Sequence, residues 1–428
     1  MTGSILLTAR PRRLRGEALW VVLGQVGVLT GTLALVRVQT GLLSPVGYGQ
    51  LALAMTLFGF GQTAVFGGLN MAIARLYAPT HAGGELANYL QTGRRVLLWL
   101  SGFWCMALLL LALAFFASAR PEWAAIALML LPYSLLNGSV SALVAFHNAR
   151  RARRVVALHQ MADVWLRVGG VCVAGQVFGP SLLAFFTVYA LSSLIVLVSL
   201  AAMSRLTDSP DGSEKADATH HDFLAYAWPI YVWSPFVWAQ LSVDRWALDI
   251  FATGTAVGLY AVAAQLTFGP ARIALAAFLR FFTPVLFDGI SNGETELSKL
   301  KRIGLLALSA TLAGFALTSV WHAEIFALAV GIEFQSASIY LPWLVLAAGL
   351  IATGEVLTLT ILGRQDTKAL IAPKVASALT GIFLSLLGAA WIGIWGVVAA
   401  QVAHAALYLI WIITRLAPSH MRGHDRPS

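Results

Sequence analysis

The sequence predicts an all-α integral membrane protein of about twelve transmembrane helices in two parallel six-helix lobes. Three observations carry that expectation. Apolar runs of about 20 residues, the length at which a helix crosses a bilayer, recur along the whole chain. Composition leaves too little charge to solvate a soluble surface, with 59% of residues hydrophobic, 11% charged and a mean hydropathy of +0.78. Basic residues, finally, gather in every second gap between the apolar runs.

Arg10, Arg12, Arg13 and Arg15 precede the first run, 17–38, and Arg75, Arg94 and Arg95 follow the second, 46–73. The third and fourth, 95–118 and 123–146, are joined through Arg120 and followed by Arg150, Arg151, Arg153 and Arg154. Gly179 and Pro180 join the fifth and sixth, 157–178 and 181–203, and Arg205 and Lys215 come next. The seventh and eighth, 223–250 and 257–286, precede Lys299, Lys301 and Arg302. A gap from about Trp321 to Ala337, the longest on its side, separates the ninth, 302–320, from the tenth, 338–362. Arg364, Lys368 and Lys374 follow it; the eleventh and twelfth, 373–391 and 394–415, lead to Arg415, Arg422 and Arg426. Most of the 28 basic residues thus lie on one side, which by the positive-inside rule makes both termini cytoplasmic and the span count even.

The net charge of +9 is therefore a topology signal, helped by attraction to anionic membrane lipids, and does not argue for a nucleic-acid partner. Cys105 and Cys172 fall inside apolar runs and imply no disulfide framework. The first run lacks a small-residue cleavage pattern and is read as a retained span.

The polar stretch from Asp208 to Asp217 divides the chain into a lobe at 1–204, a cytoplasmic linker at 205–222 and a second lobe with its tail at 223–428. Even numbers of spans on each side give the halves one orientation, so any duplication is parallel. Val46/Val257, Gly47/Gly258, Ala52/Ala263 and Thr56/Thr267 coincide at one offset of 211 residues. Phe178-Gly179-Pro180 and Ile392-Gly393-Ile394 repeat at a nearly equal spacing.

Pro229 early in the seventh run, Asp244-Arg245 near its outer end and the Ala256–Ala261 segment opening the eighth resemble the polysaccharide-biosynthesis flippases. These are the Wzx-type oligosaccharide exporters of the multidrug/oligosaccharidyl-lipid/polysaccharide (MOP) superfamily. The Leu43–Gly49 segment, Gly93-Arg94-Arg95 and Phe334 to Pro342 fit the same pattern. The resemblance implies a MATE/MurJ-like fold, with the lobes around a central cavity, in the bacterial inner membrane. Its implied activity is the movement of polyprenyl-linked glycans, alongside other polysaccharide-assembly proteins.

Charge inside the spans is the signal that does not depend on resemblance. An ionised side chain at the bilayer centre costs about 2.5–3.5 kcal/mol on insertion scales, so such residues face a cavity, a partner or the interface. Arg272 and Arg280 lie about two turns apart on the eighth run, with Asp288 the nearest acid along the chain. Guanidinium groups bind phosphate through paired hydrogen bonds, so both are candidate substrate-binding residues, together with Arg245, Arg167 and Arg37. Their bland readings stand beside this. Arg37 can snorkel to the headgroups; Asp163 and Arg167, four apart on one helix face, can pair; Arg272 and Arg280 can pair with Asp163 or Glu355. Gly269-Pro270 is expected to break the eighth helix near mid-membrane. Asp163, Asp244 and Glu355 are candidates for coupling to protons or Na+, Glu355 being equally readable as a partner for an arginine. Gln401 and His404 are expected to pack between helices.

There is no Walker A loop, no metal-ligand spacing and no nucleophile elbow, so neither cofactor nor metal is expected. Three functions compete. The first is an alternating-access carrier for polyprenyl-diphosphate-linked oligosaccharide, a polysaccharide or O-antigen precursor. A membrane-embedded glycan polymerase or ligase needs room and acid–base groups outside, where the gaps are short. For a MATE-like small-molecule exporter, no mid-membrane acid occurs in the first span, Glu17 lying at its edge.

Overall fold

The computed structural model describes residues 11–205, 216–291, 297–363 and 371–416. In order, the helices of the N-terminal part are α1 (Pro11–Leu42), α2 (Pro45–Phe60), a π-helical turn (Gly61–Val65), α3 (Gly67–Ala82), α4 (Leu86–Ala117), α5 (Pro121–Ala149), α6 (Arg153–Val177) and α7 (Leu182–Arg205). Then come α8 (Ala216–Phe251), α9 (Gly254–Ser291), α10 (Leu297–Ala329), a 3-10 helix (Ile332–Tyr340), α11 (Leu341–Gly363), α12 (Ile371–Ile392) and α13 (Ile394–Leu416). No strand occurs among the described residues. With α2, the π turn and α3 counted as one stretch, these match the twelve predicted runs. Ten of the stretches are long and apolar enough to cross a membrane, and the protein is a multi-pass membrane protein. α6 and α8 are not among the ten; they carry the Asp163/Arg167 and Asp244/Arg245 pairs.

The gap expected from Trp321 to Ala337 is largely helical. α10 bends at Trp321 (φ −112°, ψ 21°) and continues to Ala329, and the 3-10 helix follows at once. Phe326, Val330, Phe334 and Ala337 are fully buried, so packing holds this stretch as helix where length alone suggested a loop.

The helices sort into two compact units. The first comprises residues 1–42 and 54–238, the second 43–53 and 239–428. The division therefore falls inside α8 and α2 rather than in the polar linker. Sequence reasoning sees only composition, whereas side chains decide the unit. Phe223 and Ala227 of α8 are buried with Leu69, Tyr89, Val96 and Phe146 in the core of the first unit. Trp238 donates from Nε1 to the carbonyl of Thr56 at 2.6 Å and meets Phe60 edge-on.

Within the first unit α4 packs on α5, α5 on α7 and α3, and α6 on α7; α1 lies along α6. Within the second, α10 packs on α11, α11 on α13 and α9, and α12 on α13. Those four pairings are the same ones, span for span, so the repeat read from the sequence extends to packing. Its turns agree as well. Gly179 (φ +76°) and Gly393 (φ +64°) each end the fifth helix of a unit in the left-handed region, where a residue with a Cβ is strained.

Gly49 and Gly258 allow the first turns of α2 and α9 to cross backbone to backbone within the second unit. A Cβ on Gly258 would run into the carbonyl of Pro45 and the amide of Gly49. Gly258→Ala is expected to destabilise the protein by about 1–3 kcal/mol, the usual cost of overpacking. The check is a lower unfolding midpoint in detergent. Gly47→Ala, at the repeat-equivalent position, is the control, because nothing lies closer than 3.5 Å there.

Candidate functional site

The intramembrane charges fall into four places. Asp244 and Arg245 sit near the end of α8. Adjacent helical residues point about 100° apart, so they make only a loose ion pair, with Nη1 of Arg245 3.9 Å from Oδ1 of Asp244. The Asp244 carboxylate is 5% exposed and its oxygens are committed elsewhere. Oδ2 accepts from the hydroxyl of Tyr260 on α9 at 2.5 Å, and Oδ1 accepts from the Arg245 amide at 2.8 Å. Gln401 of α13 hydrogen-bonds Tyr260, and His404 on the same face lies within electrostatic reach of Asp244. Three helices of the second unit thus enclose one carboxylate.

Arg245 is only partly satisfied, its other contact being from Nη1 to the carbonyl of Leu241 at 3.2 Å. Arg272 on α9 is exposed and donates from Nε to the carbonyl of Phe268, one turn back on its own helix, at 3.1 Å. Among the described residues it has no carboxylate partner, and the like charge of Arg245 lies within electrostatic reach. The pairing foreseen for it with Glu355 is not made. Its helix also differs from expectation. α9 passes through Gly269 and Pro270 without ending, since one missing hydrogen bond does not outweigh the packing along its 38 residues. Arg280 lies on α9, and its side chain is outside the described residues, as is Asp288.

In the first unit Arg167 and Asp163 do pair, through Nη2 and Oδ2. Arg167 makes three side-chain hydrogen bonds. Its Nη1 donates to the Tyr133 hydroxyl at 2.9 Å and its Nε to Ser192 Oγ at 3.3 Å, while the rings of Tyr133 and Tyr189 flank the guanidinium at 5.1 and 5.2 Å. Gln39 in turn donates to Tyr189. These contacts commit Arg167 to partners within the first unit. Arg37 is exposed on α1, as a snorkelling side chain would be.

Glu355 has partners, and the basic one is a lysine. Lys374 of α12 approaches Oε1 to 3.0 Å, and the Tyr408 hydroxyl of α13 donates to Oε1 at 2.7 Å. Sequence reasoning had no route to Tyr260, Tyr133, Tyr189 or Tyr408, because their hydroxyls become ligands of charge only once helices distant in sequence pack. Gln401 and His404 did carry a signal, as polar residues three apart on the last span. Among the described residues no group of His, Cys, Asp or Glu has the arrangement of a metal site.

Residues 17–290 match the family described as polysaccharide biosynthesis protein. No curated protein matches the chain. Among solved structures it is similar to the lipid II flippase MurJ in an inward closed conformation, at 12% identity and a TM-score of 0.72, over 94% of this chain and 87% of that one. It is also similar to an inward-facing multidrug resistance MATE family transporter of the MOP superfamily, at 13% identity and a TM-score of 0.67, over 94% and 96%. The Vibrio cholerae MATE transporter VcmN in its bent form gives 13% identity and a TM-score of 0.55, over 94% and 97%. The all-helical fold foreseen from the sequence is thus that of MOP-superfamily membrane transporters. A match spanning well over half of its length shows that the chain belongs to the polysaccharide biosynthesis protein family.

Proposed function

We propose that this protein is a flippase that carries polyprenyl-diphosphate-linked oligosaccharide across the bacterial inner membrane by alternating access, with both termini in the cytoplasm. The observation that supports it best is the Arg245–Arg272 neighbourhood. The Arg245 and Arg272 guanidinium groups, on α8 and α9, lie within electrostatic reach of each other, and the neighbouring acid Asp244 is held by Tyr260 and an amide. Like charges in a low dielectric repel unless an anion sits between them. A diphosphate supplies that anion and suits the planar fork of arginine. The family and the likeness to a lipid II flippase support the same substrate class. The short outer connections and the transporter fold weigh against a glycan polymerase or ligase.

Asp244 is the coupling residue in this reading. It is a buried carboxylate whose occupancy by a proton or Na+ would alter the charge beside Arg245. The test is reconstitution in vesicles with a labelled polyprenyl-diphosphate glycan, scored by accessibility to an impermeant glycosidase. Protein-dependent translocation is expected, faster under an imposed proton or Na+ gradient, and in Asp244→Asn the gradient is expected to lose its effect. Export of a small cationic dye with no glycan movement would instead mark a drug exporter.

A further inference from the structure

The first unit contains a cavity of about 750 Å³ that the proposed transport site does not use. It lies among the cytoplasmic halves of α4, α5 and α7, on the orientation proposed above, and the turn between α3 and α4 borders it. Its character changes with depth. The inner part is lined by Leu97 of α4, Leu143 of α5 and Leu197 of α7. The outer part is bordered by His81, Arg94 and Ser204. Arg94 is exposed and has no hydrogen-bond or ion-pair partner among the described residues, with Arg95 beside it. Arg150 also stands at this end, its guanidinium 5.1 Å above the ring of Phe146, itself a lining residue.

Two of the polar groups bordering the walls are otherwise occupied. Tyr89 donates to the carbonyl of Ile73 at 2.8 Å, and Ser204 donates to that of Leu200 at 2.9 Å. The cavity therefore offers an occupant an apolar slot with the Arg94 cation at its mouth. Along α4 the lining runs from Leu86 to Leu97, about 16 Å of helix rise, or roughly half the 30 Å hydrocarbon thickness. That depth suits the chain of a lipid from a single leaflet and would leave most of a polyprenyl chain outside.

We propose that this cavity binds an anionic phospholipid of the cytoplasmic leaflet, with an acyl chain among Leu97, Leu143 and Leu197 and the phosphate at the Arg94 guanidinium. The positive-inside arrangement places Arg94 at headgroup level, where anionic lipid is attracted to basic side chains. Such a lipid would wedge the groove between α4 and α7 over α5.

The experiment places the whole protein in phosphatidylcholine vesicles with a trace of phosphatidylglycerol carrying a photoreactive acyl chain, then maps the labelled peptides. Labelling is expected to concentrate on the Leu86–Leu97 and Ser139–Phe146 segments, and to fall about tenfold in Arg94→Gln, the loss of one charge-assisted hydrogen bond. A phosphatidylcholine probe with the same chain is expected to label these segments less. Leu197→Trp, which narrows the slot, is expected to lower labelling by either probe while the protein still elutes as a folded species. Labelling spread evenly over all lipid-facing helices would overturn the proposal, as would an unchanged signal in Arg94→Gln. Displacement of the probe by an equal amount of polyprenyl phosphate would also overturn it, assigning the slot to the carried lipid. Labelling needs no translocation, so a transport-dead protein that labels normally counts against the flippase reading alone.

Discussion

Glutamine at both Arg245 and Arg272 is expected to abolish glycan translocation in reconstituted vesicles while leaving the yield of folded protein unchanged. Each charge-assisted hydrogen bond to a phosphate contributes about 1.5–3 kcal/mol, so the pair together contributes about 3–6 kcal/mol, a loss of roughly a hundredfold to ten-thousandfold. The single variants should each lose about ten- to a hundredfold. Folding is spared because the one ion pair lost, Arg245 to Asp244 at 3.9 Å, is loose and leaves the acid its other partners. Asp244 keeps Tyr260 and the Arg245 amide, and Arg272 bonds only its own helix. Removing one of two neighbouring like charges even relieves repulsion. Arg120→Gln, in the turn before α5, is the matched control for a lost positive charge. Translocation at the parent rate in the double variant would remove the phosphate-binding role from these residues.

Arg167→Leu is expected to have the opposite signature, a collapse in folded protein. Removing one partner of a buried ion pair costs about 3–5 kcal/mol, because the other charge is left unpaired. Here the stranded group is Asp163, one of whose oxygens already has no hydrogen-bond partner. Tyr133 and Ser192 would lose their donor as well. The double variant Asp163→Leu/Arg167→Leu should recover much of the folded yield, since replacing both members of a buried pair by apolar side chains is often neutral or stabilising. Yield and unfolding midpoint by fluorescence-detected size exclusion measure both. If Arg167→Leu folds normally yet cannot translocate, Arg167 acts on the substrate after all.

The contrast between the two arginine groups marks where sequence stops being informative. The spans were legible because lipid imposes one crude requirement, an apolar run of fixed length, and the alternation of basic gaps reports orientation independently. The duplicated architecture was legible too: the matches from Val46/Val257 to Thr56/Thr267 and the paired turn glycines lie in equivalent helices and turns. The sorting of charges was not. Asp163 and Arg167 were correctly placed on one face, but the tyrosines that flank the arginine come from α5 and α7. Lys374 was counted as a topology residue, although it reaches Glu355 because α11 and α12 both pack on α13. Pro270 broke a rule of local propensity without breaking its helix.

The π turn at Gly61–Val65, closed by the Phe66 amide on the Gly61 carbonyl at 3.0 Å, adds one residue to a helix whose counterpart α9 runs uninterrupted. One surplus residue turns everything after it by about 100°. The two repeats are therefore in phase at Thr56 and Thr267, ahead of this turn. Beyond that point they are out of frame, so residues that still align by counting point to different compass bearings. A swap of these segments between the copies would have to delete one position to restore the original heading. The protein gains an asymmetry that a perfect duplication could not have supplied.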